Sequence, residues 1–118
     1  MARAYKILGQ SQPASNTMTT LYTVPASTSA IISSVTVTNC DDPVGTRTAN
    51  SFSIAVVPNG TTVDNSLANT RLIAYRVNCP VRDAITLTLG LTLATGDKLA
   101  VNANGATMTF SAFGTEIS

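Results

Sequence analysis

Few residues in this 118-residue chain are equipped for chemistry. Asp41 and Asp42 are adjacent, and paired carboxylates are the beginning of a cation site. Calcium takes about six to eight oxygen ligands, so Asp64 or Asp83 would have to join them. A turn held by Asx hydrogen bonds is the competing reading, and it stands first. Cys40 and Cys79 each follow an Asn at a strand end. They read as small buried apolar side chains, with a disulfide as the alternative. A Ser, Thr or Cys nucleophile needs a base, and with no His in the chain only Lys or a carboxylate remains. Lys6 and Lys98 have no partner at a recognisable spacing, and Asp97 in Gly96-Asp97-Lys98 reads as a turn-setter. No catalytic, metal or cofactor residue is assigned, and the chain is expected not to be an enzyme.

Contact chemistry is better represented. Arg71, Arg76 and Arg82 fall around a single strand and its exits. They serve either to protect a sheet edge from pairing with other chains or to anchor an acidic partner surface, Arg being enriched at interfaces. Arg3, Tyr5 and Lys6 lie in an N-terminal segment that suits an arm or an edge strand added to a neighbouring sheet. Tyr5, Tyr22 and Tyr75 are rim or contact residues with wet hydroxyls. The candidate partner interface is therefore Arg3, Tyr5, Lys6, Arg71, Arg76 and Arg82.

The elements that must position these residues are strands. Ile85, Leu87, Leu89, Leu91 and Leu93 alternate with Thr86, Thr88, Gly90 and Thr92, giving one apolar and one hydroxylated face. A helix would need apolar residues at i, i+3 and i+4, which this run lacks. Gly90 is expected at a bulge or bend. The same alternation marks Tyr5–Leu8, Leu21–Val24, Ile31–Asn39, Phe52–Val56, Leu72–Val77, Lys98–Asn102 and Thr107–Ala112. Turn chemistry separates these runs at Pro25-Ala26-Ser27, Pro58-Asn59-Gly60, Thr95-Gly96-Asp97 and Asn104-Gly105, the last with the signature of a hairpin. Residues 61–70 form the longest irregular stretch, expected as a crossing loop with one helical turn around Asp64–Asn69. Eight short strands without a significant helix predict a single all-β domain over residues 1–118, an antiparallel β-sandwich or barrel. The leucine strand should bury its odd-numbered residues against Phe52, Ile54 and Phe110.

Composition agrees and narrows the function classes. Charged residues make up 11% of the chain, with seven Lys and Arg against six Asp and Glu. A net charge of +1 leaves no basic field for a phosphate backbone, so no nucleic-acid partner is expected. No run approaches the ~18 apolar residues of a membrane span, and no membrane partner is expected. The first residues, Met1 to Gly9, lack the apolar core of a signal peptide, which points to assembly in a cytoplasm. Ser and Thr fill about a quarter of the sequence, as suits the solvated faces of sheets.

A wider pattern runs through these segments. It comprises Leu8-Gly9-Gln10, Leu21-Tyr22-Thr23-Val24-Pro25-Ala26, Ser33-Ser34 with Val37 and Asn39, Ile54 to Pro58 with Gly60, and Ile73-Ala74-Tyr75. It continues through Thr86 to Gly90 and Gly96-Asp97 to the ending Phe110-Ser111-Ala112-Phe113-Gly114-Thr115-Glu116-Ile117. Over nearly its full length the chain resembles a family of small virion structural proteins of tailed bacteriophages. The resemblance implies a jelly-roll-like sandwich acting as a capsid decoration (cement) protein, or as a small tail, baseplate or fibre component. It implies the major capsid protein and further copies of the chain, as a dimer or trimer, as partners on the outer surface of the virion shell. The Asp41–Ala49 loop is an elaboration of that pattern. A carbohydrate- or receptor-binding sandwich is the alternative of another class; it would need aromatics lining a groove, and the chain has three Tyr and no Trp.

Overall fold

The computed structural model describes residues 3–41 and 49–118. Most of the 41–49 loop, Asp42 included, lies outside the described residues.

Strands form where the sequence alternates. They are β1 (Arg3–Ser11), β2 (Thr19–Thr23), β3 (Ser29–Asn39), β4 (Ala49–Val57), β5 (Leu72–Pro80), β6 (Ala84–Leu93), β7 (Lys98–Ala103) and β8 (Met108–Ile117). A 3-10 turn, Asn69–Arg71, precedes β5, slightly later than the helical turn expected around Asp64–Asn69. The strands make two four-stranded sheets, ordered β1-β8-β3-β6 and β2-β7-β4-β5. Antiparallel pairs β1·β8, β2·β7, β3·β6 and β4·β5 describe a chain doubled back at the β4–β5 connection. Rolling that double ribbon sends alternate pairs to opposite sheets, and β3·β8 and β4·β7 then complete each one. This is the jelly roll.

Two sequence expectations change with that topology. Asn104-Gly105 does make a tight connection, but β7 and β8 belong to different sheets, so it is a corner and no hairpin. Residues 58–71 do not cross between sheets, because β4 and β5 are neighbours in one. This stretch instead folds back over the outer face of its own sheet. There Val63, Leu67, Leu72 and Met18 cover Ala55, Val57 and Ala100, which are fully buried.

The main core lies between the sheets. Phe52 of β4 and Phe110 of β8 meet edge to face across it, with ring centroids 6.1 Å apart. Ile32, Val35, Val37, Ile54, Leu99, Val101 and Met108 fill the remainder. Burying an aliphatic or aromatic side chain of this kind contributes about 1.5–3 kcal/mol, so the layer suffices without Trp. The leucine strand β6 sits at a sheet edge. Its face assignment holds, with Thr86, Thr88 and Thr92 exposed, but only Leu93 is fully buried while Leu87, Leu89 and Leu91 are half-covered.

The bulge expected at Gly90 is present. Register slips between Ile32–Leu91 and Ser34–Thr88, leaving Leu89 and Gly90 opposite Ser33. At the same level β3 slips against β8 at Ser33, and β1 slips against β8 at Leu8. Slips at one height across a sheet bend all of its strands together.

Candidate interaction surfaces

The six sequence-selected residues divide into two groups on different sheets. Arg3, Tyr5 and Lys6 lie on β1, the free edge of the β1-β8-β3-β6 sheet. Arg71, Arg76 and Arg82 border β5, the free edge of the other sheet. They make no single interface.

Residues 3–6 do not extend as an arm. Arg3 pairs with Ile117, Tyr5 with Thr115 and Lys6 with Gly114 of the chain's own β8. Directly opposed residues share a face, so Tyr5 and Ile7 stand beside Thr115 and Phe113, with Ile31 opposite Thr115 on the next strand. Tyr5 is 80% exposed and Ile7 54%. Together with Phe113 and Ser33 they line a shallow, mostly apolar depression on the outer face of this sheet. The face is hydroxylated elsewhere by Thr36, Thr86, Thr88, Thr109 and Ser111, and Thr36 and Thr86 are 3.3 Å apart. Tyr5 and Ile7 are thus two exposed large apolar side chains side by side on that face. Sequence reasoning selected Tyr5 but passed over Ile7 and Phe113; the i, i+2 spacing of Tyr5 and Ile7 was the available signal.

Lys6 points the other way and is committed. Its ammonium forms an ion pair with Glu116 Oε1, and Tyr22 donates its hydroxyl to Glu116 Oε2 at 2.6 Å. The Lys6 and Tyr22 hydrogen bonds hold the Glu116 carboxyl below its ordinary range. Burial first, and the neighbouring carboxylate second, push the Tyr22 phenol well above its ordinary value. The trio pins the β1 edge to β2 across the mouth of the sandwich. Lys98 is likewise structural, donating to the Thr61 carbonyl at 3.4 Å.

The β5 edge is irregular. Its pairing with β4 slips twice, so that Tyr75 and Arg76 together oppose Ser53. Arg76 has φ +50°, a left-handed conformation seldom adopted by residues other than Gly and Asn. Its N–H donates to Ser53 Oγ at 3.0 Å, and its guanidinium lies 5.1 Å from the Tyr75 ring centroid. β5 is an edge strand, and bulges on an edge strand block edge-to-edge pairing. Arg71 ends the 3-10 turn. Arg82, at φ +59°, donates its backbone N–H to the Asn39 carbonyl in the β5–β6 turn.

Beside Tyr75 and Arg76 the outer face of this second sheet is hollowed. One cavity of about 290 Å³ is lined by Asn16, Ser51, Ser53, Arg76, Asn102, Ala103 and Asn104. A second of about 230 Å³ shares Ser53, Arg76 and Asn102 with it and reaches Tyr75 and Asn65. Asn102 Oδ1 is buried without a hydrogen-bond partner, a condition that costs about 1–3 kcal/mol.

Asp97 accepts from the backbone of Ala94 and of Asn59, setting its turn and tying it to the next. Asp41 accepts from Asn50 Nδ2 at 3.2 Å. Among the described residues no three of His, Cys, Asp or Glu gather as a metal site. Cys40 and Cys79 are both free thiols. Cys79 is buried as expected, and burial raises its pKa; Cys40 is exposed, which corrects the expectation of two buried thiols.

No family model matches the chain, and no curated protein matches it. Among solved structures, a pentameric capsid protein isolated from metagenomic phage sequences aligns over 96% of this chain at 16% identity, with a TM-score of 0.28. The chain spans 64% of that protein's length. Likeness at this level establishes neither family nor function.

Proposed function

We propose that the chain is a non-enzymatic virion structural protein of a tailed bacteriophage, specifically a capsid decoration (cement) protein on the outer surface of the major capsid protein shell. The observation that carries the reading is the Tyr5–Ile7 patch beside Phe113, apolar and exposed on an otherwise hydroxyl-covered sheet. Covering one such side chain is worth about 1.5–3 kcal/mol, a modest contact for one copy. Many copies on a repeating shell, linked as a closed homo-oligomer, multiply modest contacts through avidity. Near-neutral charge lets copies sit side by side without repulsion. The full-length sequence resemblance and the jelly-roll topology support the same role.

Co-sedimentation with undecorated capsids tests it. Wild-type protein should pellet with shells, and the Tyr5→Ser/Ile7→Ser double variant should bind at least tenfold more weakly while keeping its thermal transition. Failure of the wild-type protein to pellet with shells, together with binding to isolated tails, would replace the cement reading with a tail or baseplate one.

A further inference from the structure

We infer that the hollow on the β2-β7-β4-β5 sheet is a binding site for an acidic saccharide. It lies on the face opposite the Tyr5–Ile7 patch, so a chain seated on a shell by one sheet would present this hollow outward. The inference stands apart from shell binding, because it uses no residue of that patch.

The lining is selective in kind. Asn16, Asn102 and Asn104 supply amides, Ser53 a hydroxyl, Tyr75 an exposed ring and Arg76 the only formal charge among the described residues. Among the described residues no carboxylate lines either cavity. Amides both donate and accept, which matches the paired donor and acceptor character of sugar hydroxyls. Tyr75, 60% exposed, offers an apolar surface for the C–H face of a pyranose. The guanidinium, held over that ring, offers a fork for a single carboxylate. The two cavities share Ser53, Arg76 and Asn102, so adjoining sugar units would occupy adjoining compartments with the charge between them.

Backbone conformation adds an independent argument. The position of Arg76 in the bulge is left-handed and would suit Gly. Asn16, a second left-handed residue, lines the same hollow. A bulky cation in a glycine position is a conformational cost, and such costs gather at functional sites. Asn102 Oδ1, unpaired at the sheet beneath, is a further unmet demand at the same place.

Titration of the ¹⁵N-labelled chain with hexamannuronate, hexagalacturonate, sialyllactose and neutral maltohexaose, followed by NMR, tests the site. At least one acidic probe should shift the amide signals of Tyr75, Arg76 and Asn102, with an affinity at least tenfold above that of maltohexaose. Arg76→Gly should abolish that preference while its Tm stays equal or rises, and Tyr75→Ala should weaken binding at least tenfold. No shift with any of the four probes would overturn the inference. Maltohexaose binding as tightly as the acidic probes would overturn it too, as would a lowered Tm in Arg76→Gly with binding intact.

Discussion

Asn39 Nδ2 donates to the carbonyl of Cys79 at 2.9 Å, joining the end of β3 in one sheet to the end of β5 in the other. Asn39 is fully buried. Its Oδ1 accepts from the Asp41 N–H at 3.1 Å and from Asn50 Nδ2 at 3.3 Å, while its own backbone bonds to Asp83 and Arg82. One side chain thus closes the end of the sandwich where four segments converge.

Removing that clasp should be costly. Asn39→Ala strands a buried carbonyl and a buried amide donor, each worth about 1–3 kcal/mol. A loss of about 2–4 kcal/mol is expected in urea unfolding, with an unchanged m-value. Asn39→Leu should be no better, since it restores volume and no hydrogen bond.

The two faces of β6 should respond differently to charge. Leu89→Asp places a carboxylate against the core and should cost roughly 2 kcal/mol or more. Thr88→Asp, on the exposed face, should remain within about 0.5 kcal/mol of wild type. Because β6 is an edge strand, Leu89→Asp is expected to lower Tm and to leave a cooperative transition. Equal damage from both substitutions would contradict the face assignment.

Gly114 and Gly90 make a second contrast. A Cβ at Gly114 would lie 2.0 Å from the Ile31 carbonyl oxygen, a backbone atom that cannot rotate away. A Cβ at Gly90 meets nothing within 4 Å. Gly114→Ala should destabilise by about 3 kcal/mol or prevent folding. Gly90→Ala should change stability by less than about 1 kcal/mol. Parallel thermal melts separate the two.

The Lys6–Glu116–Tyr22 trio predicts a pH profile at both ends. The Glu116 pKa is lowered in the folded state, so its contribution is present above the ordinary glutamate pKa of about 4.3 and is lost as pH falls below it. Tyr22 is raised, so its contribution is present below about pH 10 and is lost as pH rises beyond it. Glu116→Gln should cost no more than about 1 kcal/mol near neutrality, because Lys6 is half exposed. Its stability curve should converge with that of wild type in acid.

All eight strands were legible in the sequence, because a half-buried strand writes its face into period two, as Ile85 to Leu93 does. Pairing was not legible. Asn104-Gly105 carries hairpin chemistry, yet the tertiary partners of β7 are β2 and β4, and local turn residues hold no information about them. The second burial layer was also hidden. Ala55, Val57 and Ala100 are apolar on an outward face only because residues 58–71 return to cover them. Tyr5 and Ile7 were visible as neighbours on one face, but whether that face was core or solvent depended on the register with β8. The Asn39 clasp left a trace in the paired Asn39-Cys40 and Asn78-Cys79, although what Asn39 reaches is the Cys79 carbonyl, a backbone group that residue identity cannot reveal.

Cryo-electron microscopy of intact virions is the most direct test of the proposed role. The account predicts density for this chain repeated at regular positions over the outer shell, with the β1-β8-β3-β6 sheet against the major capsid protein and Tyr5 and Ile7 covered. Density for the chain confined to the tail or baseplate, with a bare shell, would contradict it.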